Sequence, residues 1–140
     1  MAKNKIPKEA IAEEAWSSWT PTTSGITIGN GTLVAKYTKL GKTVNFNLKF
    51  VFGSTSAITG TPVFSPPVAA ADTHNALQAI VEDSGTALLC AIATLVAGNI
   101  YVYAAGAATS YVSQTNMSAT VPMTWAAGDV LYINGTYQAS

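Results

Sequence analysis

A ten-residue stretch, TVNFNLKFVF at positions 43–52, constrains the fold of this chain more than any other feature of the sequence. Apolar residues recur in it at every second position, which is the repeat of a β-strand with one face in the core and the other near water. The recurring apolar residues are Val44, Phe46, Leu48, Phe50 and Phe52. We therefore expect Phe46, Leu48 and Phe50 to face the core, with Asn45 and Asn47 on the opposite face.

Short apolar runs separated by turn signals continue through the rest of the chain. The clearest turn signals are Gly29-Asn30-Gly31, Gly41-Lys42, Asp83-Ser84-Gly85 and Gly128-Asp129. Asn-Gly and Asp-Gly pairs of this kind favour tight turns between strands. Eight or nine short strands at such spacing are typical of an antiparallel β-sandwich or barrel. We predict an all-β fold, namely a jelly-roll-like antiparallel β-sandwich of about eight strands at positions 19–140.

Three local predictions refine this pattern. Leu88–Val96 is expected to form a hairpin with Ile100–Ala104 through Ala97-Gly98-Asn99. Gly53–Pro62 is rich in Gly, Ser and Thr and is expected to be a loop. Asn134-Gly135 is expected to turn or kink the last strand.

The N-terminal segment differs in character from the rest of the chain. Pro7 and several alanines favour a short helix there, and a single short helix is marginal in water unless it docks on something. We predict a docking arm at residues 1–18, helical or extended, that packs on its own body or on a partner. The alternative is a frayed, solvated terminus. The residues expected to mediate assembly are Lys3, Lys5, Ile6, Lys8, Ile11 and Trp16.

The composition indicates self-association. The 140 residues have zero formal net charge, only 10% are charged and 49% are hydrophobic, whereas about 25% charged residues is usual. A homo-oligomer that covers apolar surface would explain this, and a surface of Ser, Thr, Asn and Gln is the alternative. With zero net charge we expect no nucleic-acid partner. Apolar runs shorter than roughly 20 residues predict no membrane insertion, and no secretory signal is visible.

No group of residues predicts catalysis. His74 is the one histidine, and Asp72 lies two residues from it. A Ser–His–Asp triad would also need a nucleophilic serine, and the G-x-S-x-G motif that would position one is absent from the sequence. Glu82 and Asp83 are adjacent, so in a strand they point to opposite faces. Cys90 lies in an apolar run and is expected to be buried. We predict no enzymatic activity, no catalytic residues, no cofactor and no metal site.

Three tyrosines are candidates for surface contact. Tyr101 and Tyr103 would share one face of a strand, and Tyr111 follows nearby. If exposed, such rings suit stacking on a sugar ring or a partner protein, and if buried they belong to the core.

Several motifs in their order resemble a known family. They include Trp19-x-Pro21, GNGT at 29–32 and Tyr37-x-Lys39-x-Gly41-Lys42-x-Val44 before the alternating strand. ITGTPVFSPP at 58–67 and TWAAGDVLYINGTYQAS at 124–140 follow. From about Trp16 onward, the chain resembles the small β-rich virion proteins of tailed bacteriophages, which include minor tail proteins and head- or tail-fibre domains. The paired Pro66-Pro67 and the charged arm depart from the family pattern.

The resemblance implies a non-enzymatic structural protein without a cofactor, made in the host cytoplasm and incorporated in the virion. Members of this family assemble as homotrimers and decorate the particle or contact the host surface. The function expected first is a trimeric minor tail protein anchored by its arm to other virion proteins, with a host-surface glycan as a further partner. A capsid decoration protein or head fibre that stabilises the shell is the alternative, and a free carbohydrate-binding module is another.

Overall fold

Antiparallel strands make up the whole regular structure of the described part of the chain. The computed structural model describes residues 15–71, 74–107 and 110–140, and none of these residues is helical. The ten strands in chain order are β1 (Ser17–Ser18), β2 (Thr23–Thr27), β3 (Thr32–Leu40), β4 (Thr43–Val51), β5 (Ala57–Phe64), β6 (His74–Asp83), β7 (Ala87–Val96), β8 (Asn99–Ala107), β9 (Val112–Thr115) and β10 (Val130–Gln138). The predicted all-β, antiparallel class is confirmed.

The strands form one hydrogen-bonded sheet in the order β1-β3-β4-β10-β6-β7-β8-β5-β2, curled into a half-barrel, and β9 pairs with the far part of β8. A division into two packed sheets, as in a jelly roll, is therefore not established by the strand pairing. The last strand, β10, lies inside the sheet between β4 and β6. Of the predicted arm at residues 1–18, residues 1–14 lie outside the described residues, and Ser17–Ser18 pair with β3.

The core lies on the inner face of the curled sheet and follows the period of two. In β4, Val44, Phe46, Leu48 and Phe50 are buried, while Asn47 and Lys49 between them are exposed. The prediction is confirmed for Phe46, Leu48 and Phe50 on the core face and for Asn47 on the opposite face, where Asn45 is half-buried. The other strands contribute to the core in the same way, through residues such as Phe64, Val81, Leu95, Ile100, Val102, Leu131 and Ile133.

Three connections cross from one end of the sheet to the other, namely β1 to β2, β2 to β3 and β4 to β5. β2 and β3 flank Gly29-Asn30-Gly31, yet they do not pair with each other, because β2 pairs with β5 and β3 pairs with β4. Asn30 holds this crossover to the one that leads from β4 to β5. Its Nδ2 donates to Ser54 Oγ at 3.0 Å, and its Oδ1 accepts from the Thr55 backbone N–H at 2.9 Å. The Asn-Gly signal thus marks a crossover corner and not a hairpin.

Two local predictions were wrong. The expected loop at Gly53–Pro62 is a loop only as far as Ser56, and β5 begins at Ala57. Asn134-Gly135 does not interrupt β10, which runs without a break from Val130 to Gln138. Gly135 lies close to Leu77, since a Cβ at this position would collide with Leu77 Cδ2.

The predicted hairpin between β7 and β8 is confirmed, with a turn one residue shorter than expected because Asn99 belongs to β8, and it contains one strained residue. Val96 pairs with Asn99, which leaves Ala97-Gly98 as a two-residue turn. Both turn residues have positive φ, 47° at Ala97 and 77° at Gly98. Asn-Gly is strongly preferred in such turns, because a left-handed conformation is costly for alanine.

We expect Ala97→Asn to raise the free energy of unfolding by about 1 kcal/mol, because asparagine tolerates this backbone conformation better than alanine. Urea denaturation at fixed protein concentration measures the change. Ala87→Asn is the control, since Ala87 is an exposed residue of β7 and is not among the residues with positive φ. A gain of equal size in the control would show that the turn is not the cause.

Candidate functional site

The outer face is the side of the sheet opposite the core, and on β3, β4, β10, β6 and β7 it forms a continuous surface. Cross-strand pairing places one residue of each strand in a single row: Val34, Lys49, Tyr132, Ile80 and Cys90. A second row beside it consists of Lys36, Asn47, Asn134, Gln78 and Ile92. Side chains directly opposite one another in neighbouring strands interact, so these rows form one mixed apolar and amide surface.

Tyr132 lies at the centre of this surface and is fixed by its neighbours. Its hydroxyl donates to Glu82 Oε2 at 2.9 Å, and Lys49 Nζ lies 5.5 Å from the centre of its ring. The hydrogen bond to the Glu82 carboxylate, with desolvation and the negative charge of Glu82 as smaller causes, raises the pKa of Tyr132. Tyr132 therefore stays a neutral donor and presents an oriented ring to the solvent.

A groove on one side of Tyr132 has lysines in its wall. This lysine groove encloses about 330 Å³ and is lined by Trp16, Val34, Lys36, Asn47, Leu48, Lys49, Tyr132, Ile133 and Asn134. No carboxylate is among these lining residues. Trp16, which was predicted as an assembly residue, lies at the wall of this groove and is half exposed.

A second groove on the other side of Tyr132 has carboxylates in its wall. This acidic groove encloses about 690 Å³ and is lined by Ile80, Glu82, Asp83, Gly85, Thr86, Ala87, Leu88, Tyr132 and Asn134. No lysine is among these lining residues, and Tyr132 and Asn134 belong to both grooves. The two grooves are thus adjacent and of opposite charge.

Large apolar side chains are exposed on this face. Val34, Ile80 and Leu88 all point to the outside, and Leu88 is 70% exposed. Single exposed apolar residues are ordinary, whereas several on one face mark a surface for interaction. The exposed apolar side chains therefore make the outer face suitable for association with a partner.

The tyrosines predicted as contact residues lie in two places. Tyr101 and Tyr103 share the outer face of β8, both half-buried, with rings stacked at a centroid distance of 6.4 Å and an interplanar angle of 14°. Tyr111 precedes β9 and is largely exposed. The structure therefore brings Tyr101 and Tyr103 together, and Tyr103 pairs with Ile92 at the end of the second row.

The expected burial of Cys90 was wrong, because the thiol is exposed. The apolar run that contains it forms β7, and both faces of that strand are apolar. Ala93 and Leu95 point into the core, and the same alternation turns Leu88 and Cys90 outward. The apolar run predicted burial without showing which face each residue occupies.

Other predicted residues take simple positions or lie outside the described range. His74 is the exposed first residue of β6. Lys3, Lys5, Ile6, Lys8 and Ile11 lie outside the described residues. In residues 15–71, 74–107 and 110–140, no three His, Cys, Asp or Glu side chains come together as a metal site requires. The same residues include no helix long and apolar enough to cross a membrane.

Neither a family model nor a curated protein nor a solved structure matches this chain. The function of the candidate site is therefore inferred from its own residues and their geometry. The convergence of Lys49, Tyr132 and Glu82 could not be predicted from the sequence, because these residues come from three strands far apart in the chain. The alternation in β4 and in VLYI at 130–133 was the only available signal, since it places Lys49 and Tyr132 on the outside.

Proposed function

We propose that this protein is a non-enzymatic structural protein of a tailed-bacteriophage virion. It assembles as a homotrimer, is anchored to other virion proteins by the arm at residues 1–18, and contacts the host surface as a minor tail protein. The observation that carries the proposal is the outer face, where Val34, Ile80 and Leu88 are exposed on a sheet that already covers its core with the other face. Covering such a face between protomers is a physical reason for a chain with so few charges.

The jelly-roll-like sandwich expected from the sequence is part of this proposal. In it, the two ends of the curled sheet face each other across the core. Trp19, which follows β1, supports this arrangement because its Nε1 donates to the Ser65 carbonyl just beyond β5, at 3.2 Å. Thr22 and Ser65 also exchange hydrogen bonds.

A host-surface glycan is the proposed partner of the stacked Tyr101–Tyr103 pair. Two parallel rings on one strand offer a flat, partly apolar surface of the kind on which sugar rings stack. The same observation favours the second candidate, a free carbohydrate-binding module. In the alternative, the same homotrimer is located on the capsid, as a capsid decoration protein or a head fibre.

The first test is the mass of the assembly. Light scattering of the purified chain at micromolar concentration is expected to give three times the mass of one chain, because the exposed apolar face is covered only on association. A monomer at this concentration would contradict the proposal. Labelling of intact virions with an antibody against residues 19–140 then separates the tail from the capsid, and glycan-array binding of Tyr101→Ala against Tyr111→Ala tests the tyrosine pair.

A further inference from the structure

The charged side chains of the described residues are segregated across the sheet. The four lysines, Lys36, Lys39, Lys42 and Lys49, all belong to the β3–β4 hairpin. Glu82 and Asp83 lie at the end of β6, with β10 between them and the lysines. No ion pair joins the lysine groove to the acidic groove within the described chain, and the contact between them is Tyr132, which Lys49 and Glu82 approach from opposite sides.

We propose that the lysine groove of one protomer binds the acidic groove of a second copy of this chain. This inference rests on the proposed function, in which the protein is a homotrimer, and it names the surface that forms the trimer. Lys36 and Lys49 of one copy face Glu82 and Asp83 of the next, and the exposed Val34 and Leu88 are buried between them. Complementary charges of this kind set the register and orientation of association.

Two adjacent grooves of opposite charge allow several protomers to assemble into a closed ring. Each protomer gives its lysine groove to one neighbour and its acidic groove to the other, which is a heterologous contact that closes when the rotation is right. Three such faces around a three-fold axis place Tyr132 and Asn134, which belong to both grooves, nearest the axis. Both residues lie on β10, the strand in the middle of the face.

Leu88 and Leu40 form a matched pair for the apolar part of the contact. Leu88 is 70% exposed and lines the acidic groove, whereas Leu40 is 67% exposed and lines neither groove. Since both side chains are mostly in solvent, Leu→Ser at either position leaves the fold of the protomer intact. We expect Leu88→Ser to raise the dissociation constant of the assembly about ten-fold or more, and Leu40→Ser to change it by less than about two-fold.

Charge reversal tests the complementarity directly. The variants are Lys36→Glu with Lys49→Glu, Glu82→Lys with Asp83→Lys, and all four changes together, studied in the full chain by sedimentation. Each pair of reversals alone places like charges against each other, so we expect loss of assembly at concentrations where the wild-type protein is trimeric. The four changes together restore opposite charges, and assembly is expected to return, with the same weakening by salt as in the wild type.

Cys90 supplies a second readout, because it is the one cysteine of the chain and lies opposite Ile80 on the same face. Alkylation of its thiol is expected to be slow in the wild-type assembly and fast in Leu88→Ser. Equal assembly and equal alkylation in Leu88→Ser and the wild type would overturn the inference, as would folded charge variants that assemble like the wild type. A wild-type protein that is itself monomeric contradicts the proposed function instead.

Discussion

Phe46→Ala is expected to lower the free energy of unfolding by about 3–5 kcal/mol, the range for removing a buried aromatic ring. The Phe46 side chain is 1% exposed. Its ring lies edge-on to those of Trp19 and Tyr137, with centroid distances of 6.0 Å and 6.1 Å. Its neighbours across the sheet are Tyr37 and Gly135. The substitution therefore removes one ring from a cluster and leaves a cavity that the strands on either side cannot fill.

Asn47→Ala is the matched control for this change, because Asn47 is the next residue of β4 and is exposed on the outer face. We expect it to change the free energy of unfolding by less than about 0.5 kcal/mol. Because Asn47 also lines the lysine groove, guanidinium denaturation compares the two variants at a protein concentration where both are monomers, since association also affects apparent stability. Equal losses would mean that the outer face is as closely packed as the core.

Asp129→Ala is expected to cost about 2–4 kcal/mol, because it leaves two backbone donors without their acceptor. The Asp129 carboxylate is 1% exposed, accepts from the Ser84 N–H at 3.0 Å through Oδ1, and accepts from the Ala126 N–H at 2.6 Å through Oδ2. These two hydrogen bonds connect the turn between β6 and β7 to the turn that directly precedes β10. Asparagine is a poor replacement, since its amide nitrogen would face one of the two donors.

The control for Asp129 is Asp83→Ala, a half-buried carboxylate at the end of β6 close to the same turn. Its removal is expected to change stability by less than about 0.5 kcal/mol. Because Asp83 also lines the acidic groove, a thermal scan of both variants is made at a protein concentration where both are monomers, and it then distinguishes the loss of the two Asp129 hydrogen bonds from a general effect of charge. If Asp129→Ala melted at the wild-type temperature, the two hydrogen bonds would contribute nothing net to stability.

Local patterns in the sequence predicted the strands that have a clear alternation or a regular turn. β4 was predicted on both faces because Phe and Asn alternate in it, and the β7–β8 hairpin because Gly98 lies between two apolar runs. β5 was missed because Gly60 and Pro62 are unusual in strands, and the expected bend at Gly135 ignored the space that Leu77 needs. The error at Gly135 came from a residue whose surroundings depend on a neighbour distant in sequence.

For the same reason, the order of the strands and the residues of the candidate site could not be predicted from the sequence. Nothing in the sequence around Gly29-Asn30-Gly31 indicates that the strands on either side of it lie in different parts of the sheet. The contact of Tyr132 with Glu82 and Lys49 requires the position of β10 between β4 and β6. The shared face of Tyr101 and Tyr103, by contrast, follows from the period of two alone and was predicted.

The position of β10 inside the sheet has a consequence for biosynthesis. Ribosomes release a chain from its N-terminus, and domains fold as their residues emerge. Here β4 and β6 are joined in the sheet only through β10, a strand that is made after both of them. Until residue 138 has emerged, both present unpaired edges, which are templates for pairing with other chains. The sheet is thus completed only after β10 has been made, and the nascent chains on one messenger RNA are at risk of pairing with one another before that point.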